Sequence, residues 1–143
     1  MTINRPLSVF ALVLAVLLWP QAHAQSLSAT IEQPSDGARV AGQVEVRGTL
    51  SGTLPANTQL WIVVKQGDLM WPKDPPVDVI GQNWSKTVDL GGRGRYALVL
   101  MLVGKAGQEQ ITSWIQHGMA THSFPGLARI KGVVLAQVPV ERQ

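Results

Sequence analysis

Two runs of this sequence carry apolar residues at consecutive positions: Leu60-Trp61-Ile62-Val63-Val64, followed by Lys65, and Tyr96-Ala97-Leu98-Val99-Leu100-Met101-Leu102-Val103. Successive side chains of a strand point to opposite faces, so a strand built from either run needs dry cover on both sides. The two runs are read as the central strands of one sheet, and the remainder of the chain has to cover them. A plain sandwich buries one face of each sheet and leaves the other wet, so a second apolar surface is left to account for. Ile111, Trp114 and Ile115 recur at helical spacing and predict a short helix over about 108–117, ended by Gly118. Its apolar stripe matches the uncovered surface. The expectation is therefore a helix lying on the outer face of the sheet; the alternative is an open patch that pairs with a second copy or a partner.

The other segments read as strands that face water on one side. Leu27, Ala29 and Ile31 alternate with Ser28, Thr30 and Glu32, and Pro34-Ser35-Asp36-Gly37 supplies turn residues. Val40 to Gly48 follows, with Val44 and Val46 inward and Glu45 and Arg47 outward. Gly67 to Gly81 reads as the longest irregular stretch, because Pro72, Pro75 and Pro76 donate no ladder hydrogen bond; Val77–Ile80 is at most a short edge strand. Trp84, Val88 and Leu90 define another inward parity, and a last strand spans 133–140 with Pro139 near its end. About seven strands with turn signals at short spacing make the fold class all-β, an antiparallel β-sandwich with one short helix.

The first 24 of the 143 residues have the form of a secretory leader. Arg5 precedes an apolar stretch from Pro6 to Trp19, and Ala22-His23-Ala24 places small residues before a cleavage point at Gln25. Residues 25–143 are then a single domain. The chain has 12 basic and 9 acidic side chains, and loss of Arg5 with the leader leaves 11 against 9. These charges are scattered singly, without the basic block of a nucleic-acid patch. Cysteine is absent, so neither a disulfide frame nor a lipid-carrying cysteine is available, and a bacterial exporter is the better reading. No apolar run after residue 24 is long enough to span a bilayer. The expected location is the periplasm or the medium, with no membrane anchor after cleavage.

Candidate chemistry is sparse. His117 and His122 with Glu109 lack the His-Glu-x-x-His spacing of a zinc helix, and Asp68, Asp74 and Asp78 do not follow a calcium-loop pattern. Ser113 and Ser123 have no Gly-x-Ser-x-Gly elbow and no orienting acid. Neither a metal nor a cofactor is implied, and no catalytic residue is assigned. The tryptophans remain, since a rigid apolar face with one donor binds sugar rings and partner proteins. Trp71 stands in the Pro-rich stretch beside Lys73 and Asp74, where exposure and burial are evenly balanced; Trp84 and Trp114 fall on inward positions of a strand and a helix. Trp71, Lys73, Asp74 and Trp84 form the candidate binding set.

Ile31-x-x-Pro34-x-Asp36-Gly37-x-x-Val40-x-Gly42-x-Val44-x-Val46-x-Gly48, with Leu60-Trp61-Ile62-Val63-Val64 and Gly81-x-x-Trp84, resembles the immunoglobulin-like domains of exported bacterial proteins over roughly residues 27–103. The resemblance implies an immunoglobulin-like sandwich with Trp61 as its buried central tryptophan, resting on aliphatic neighbours because no disulfide is present. It specifies a fold and raises the prior for binding without naming a partner. The leading expectation is a non-catalytic exported protein that binds another envelope or extracellular protein. The alternative is a carbohydrate-binding module that presents Trp71, with Trp84 as a second platform, to a glycan.

Overall fold

The computed structural model describes residues 26–143; the expected leader lies outside them. Two sheets pack face to face. The first contains β1 (Ser28–Gln33), β3 (Gln43–Ser51), β7 (Asn83–Asp89) and β6 (Val79–Ile80) in the order β1-β3-β7-β6. The second contains β2 (Ala38–Val40), β9 (Val133–Arg142), β8 (Gly94–Val103), β4 (Gln59–Gln66) and β5 (Leu69–Pro72) in the order β2-β9-β8-β4-β5. Every pairing is antiparallel except that of β2 with β9. The fold is thus an all-β sandwich, and α1 (Lys105–Thr121), the one helix among the described residues, is inserted between β8 and β9.

Alternation sets the inner faces. Val44, Val46 and Leu50 of β3 and Trp84 and Val88 of β7 meet Leu60, Ile62 and Val64 of β4, Leu98 and Leu100 of β8, and Val138 and Val140 of β9. Gly48 lies opposite both Ile31 and Trp84 in the ladders, where a Cβ would collide with the Thr30 carbonyl. Glycine is required there because backbone and indole approach so closely. Tyr96, near the start of β8, donates its hydroxyl to the Gly92 carbonyl at 2.7 Å, the arrangement known as a tyrosine corner.

The second apolar surface is covered by α1. Trp61, Val63, Val99, Met101 and Val103 face away from the inter-sheet core and form a separate cluster with Ile111 of the helix and Ile130 of the segment that follows it. Ile111 is wholly buried. Gly107 brings the helix close to the sheet, since a Cβ there would strike both Val103 and the Lys131 carbonyl. Trp61 therefore does not occupy the centre of the sandwich. It sits on the outer face, 4 % exposed, paired with Met101, and its indole N–H donates to Gln59 Oε1 at 3.1 Å.

Two boundaries differ from the expected ones. The helix runs to Thr121, four residues beyond its expected end, because Gly118 is an interior residue beneath Phe124 and not a cap. The left-handed terminating residue is His122 (φ 57°), and the Gly118 carbonyl is capped by the Ser123 N–H at 3.2 Å. The stretch 67–81, expected to be irregular, contains β5, which pairs with β4 from Val63↔Pro72 to Gln66↔Leu69. Its proline is compatible with pairing because β5 is the outermost strand of its sheet.

Candidate functional site

β5 and the segment after α1 are sewn together. Met70 and Leu127 exchange both backbone hydrogen bonds at 2.8 Å, Met70 N–H to the Leu127 carbonyl and Leu127 N–H to the Met70 carbonyl. The two indoles then anchor this segment. Trp71 Nε1 donates to the Phe124 carbonyl at 2.9 Å, and Trp114 Nε1 donates to the Pro125 carbonyl at 2.8 Å. Gly126 leaves room for the Trp71 ring, whose Cζ2 would lie 2.7 Å from a Cβ at that position. Phe124 packs edge-on to Trp114, with ring centroids 5.3 Å apart and planes at 66°, a favoured aromatic geometry.

A cleft of about 420 Å³ opens between α1 and β5, bordered by Trp71, Lys73, Asp74, Trp114, Met119 and Phe124. Met119 is 66 % exposed and Phe124 45 %. Both indole donors are already satisfied by backbone, so the tryptophans offer the cleft mainly apolar surface. Its polar groups are at Lys73 and Asp74. Burial lowers the Lys73 ammonium below the usual lysine range, with the Asp89 carboxylate opposing. Trp71 and Lys73 also border a smaller hollow of about 200 Å³ against Gly92 and Tyr96.

The candidate residues divide. Trp71, Lys73 and Asp74 come together at the cleft. Trp84 does not join them: it lies on β7 in the other sheet, 3 % exposed, with Nε1 donating to the Thr49 carbonyl at 3.2 Å. It is a core side chain, and only its edge borders a hollow of about 610 Å³ on that sheet's outer face, among Glu32, Glu45, Arg47 and Asp78. Trp114, expected in the core, is only half-buried and forms a wall of the cleft. Met119 and Phe124 were not foreseen as site residues. The signal for Met119 was its position eight residues after Ile111 on the same helical face, which a helix ended at Gly118 concealed.

No three histidine, aspartate or glutamate side chains gather as a metal site among the described residues. Nor, among them, is any helix long and apolar enough to cross a membrane. The cleft has one ammonium and one carboxylate at its border and apolar surface within. That is the chemistry of holding an apolar group with modest polar orientation.

The fold and the cleft define a two-sheet β-sandwich with a helical insertion that builds an aromatic recess beside an edge strand. No protein-family model matches the chain, and no curated protein matches it. Among solved structures, the X-ray structure of the endo-beta-1,4-mannanase from Thermotoga petrophila is similar, with a TM-score of 0.47 and 14 % identity. The match covers 83 % of this chain and 20 % of that one, so the chain spans about a fifth of the mannanase's length.

Proposed function

We propose that this chain is a non-catalytic immunoglobulin-like binding protein, exported to the bacterial cell envelope or beyond, whose cleft holds an apolar side chain of another protein. The immunoglobulin-like reading is supported by the strand order β1-β3-β7-β6 against β9-β8-β4 and by the tyrosine corner at Tyr96. The reading of export rests on the leader-like residues 1–24.

The binding role rests chiefly on one observation: Met119 and Phe124 stay exposed beside two tryptophans whose donors are consumed internally. Aromatic and methionine side chains concentrate at protein interfaces. A sugar site needs several convergent donors and acceptors beside its stacking face, and this cleft presents chiefly Lys73 and Asp74. The glycan alternative also loses its second platform with the burial of Trp84.

The test is affinity capture from an envelope extract, using wild type, Met119→Lys and Phe124→Ser, combined with a tryptophan-fluorescence titration against soluble glycans. Both substitutions are at exposed side chains and are expected to leave the fold intact. Capture of a defined protein by wild type, lost in both variants and without a glycan response, is the expected result. A saturable glycan response, or a partner retained equally by both variants, refutes the reading.

A further inference from the structure

The first half of β9 is an open edge. β2 pairs with β9 only at Val140, Glu141 and Arg142, extended by the Gly37 N–H to Pro139 carbonyl bond at 2.8 Å. From Val133 to Val138, β9 pairs with β8 alone. Alternation shows which backbone groups are free. Pro139 turns its carbonyl away from β8 toward Gly37, and the Gln143 N–H likewise bonds outward to the Val40 carbonyl at 3.3 Å. Gln137, two residues before Pro139, therefore directs its N–H and C=O to the open side. The register irregularity places Val134, not Leu135, opposite Met101. This shifts the parity by one residue, so Val134 faces outward together with Gln137.

The edge also lacks the usual deterrents. Val133 and Val134 are 60 % and 51 % exposed, and no charged side chain lies between Val133 and Pro139. Natural edges are generally blunted by lysines, other charges, prolines or covering loops. Here the only such device is Pro139, at the end that β2 already covers.

We propose that a second copy of this chain adds to this edge, antiparallel, and makes the five-stranded sheet continuous across a two-fold axis. The register pairs Val134 with Gln137 of the second copy and Val133 with Val138. It places like faces together, since Val134 and Gln137 share the outer face with Met101 and Val99, and Val133 and Val138 share the inner face with Leu102 and Leu98. Each Val134–Gln137 pair exchanges both of its outward backbone bonds, and the arrangement is the same from either copy, as a two-fold interface requires. The shared ladder ends at Val133 and Val138, because the Gly37 N–H already holds the Pro139 carbonyl beyond them. β1, the edge of the facing sheet, packs against β9, and its stretch Ser28–Ile31 is likewise uncharged. A strand from an unrelated protein has no reason to satisfy the face and backbone conditions together. A copy of this chain satisfies both. This surface is separate from the cleft at β5, and the two readings stand or fall independently.

The experiment is sedimentation velocity over a wide concentration range on protein purified from an exporting host. The expected result is a reversible monomer–dimer equilibrium. Val134→Lys sets two like charges near the axis, and Gln137→Pro removes an outward N–H just as Pro139 already lacks one. Each is expected to raise the dimer Kd by about tenfold or more, with the thermal unfolding midpoint nearly unchanged. Ile80→Lys, at an 81 % exposed position on the far edge strand β6, is expected to leave the Kd as it was, which separates edge pairing from general stickiness. If Gln137→Pro fails to fold, Val134→Lys decides alone. A protein monomeric throughout, or a dimer indifferent to Val134→Lys, overturns the proposal.

Discussion

Ile111 gives the most direct measure of how firmly α1 is fixed to the sheet. Its side chain has no solvent exposure and packs with Trp61, Val63, Val99, Met101 and Val103. Ile111→Ala removes three carbons from a dry contact. At about 0.8 kcal/mol per buried carbon the transfer loss is roughly 2.5 kcal/mol. The helix cannot collapse freely onto the gap, because Gly107 already holds it against Val103 and the Lys131 carbonyl. A residual cavity brings the expected loss to about 3–4 kcal/mol, a large share of a domain stability of about 5–15 kcal/mol. Urea unfolding followed by tryptophan fluorescence reads this as a lower midpoint at constant slope. Ser113→Ala, on the exposed side of the same helix, is the control and is expected to change stability by less than about 0.5 kcal/mol. A loss below about 1 kcal/mol for Ile111→Ala, with the control unchanged, refutes the claim that the helix seals the outer face.

Three further outcomes are expected. Trp84→Ala, which empties the inter-sheet core and removes the bond to the Thr49 carbonyl, is expected to cost about 3–5 kcal/mol in denaturant unfolding; an unchanged midpoint would place this indole outside the core. His122→Gly relieves a left-handed conformation (φ 57°) at the end of α1 and is expected to stabilise by about 0.5–1 kcal/mol, read as a raised thermal midpoint. Burial lowers the Lys73 pKa in the folded protein. The unfolded chain therefore binds the proton more tightly, and stability attributable to this group rises as pH climbs from the folded pKa toward the ordinary lysine value of 10.5. Lys73→Met is expected to remove that rise from unfolding midpoints measured at successive alkaline pH values, and an identical slope in wild type and variant contradicts the assignment.

The sandwich was legible because its evidence is local. Val44 and Val46 alternate with Glu45 and Arg47, and such period-two patterns fix both strand and face. The runs at 60–64 and 96–103 also foretold a covering layer, since no open face of a sandwich accommodates Trp61, Val63, Val99 and Met101 together. The position of Trp61 was misread for a related reason. In a run apolar at both parities, the sequence contains nothing that distinguishes inner from outer, and family likeness assigned the indole to the wrong side. The cleft was less legible still. Trp71 reaches it because β5 pairs with Leu127, 57 residues beyond Met70, and a contact that distant leaves no periodic trace. Phe124 belongs to no element; its place follows from the donors of two indoles and the bare Cα of Gly118.

The insertion between β8 and β9 consequently has two separable parts. Ile111, Ile130 and the buried face of α1 complete the fold, because without them the outer faces of β4 and β8 are apolar surface in water. Residues 124–126 of the return segment, unlike Leu127 and Ile130, lie outside that cluster: they offer carbonyls to Trp71 and Trp114 and a half-exposed phenyl ring. A sandwich that needed only a cover has no use for Met119 and Phe124 in water at the far end of the helix. Substitutions on the Ile111 side are thus expected to change stability without selectively changing binding, and those at Met119 or Phe124 to do the reverse. If both sets proved to change stability alone, the cleft would be the untidy end of a lid, and the binding surface would have to be sought elsewhere on the sandwich.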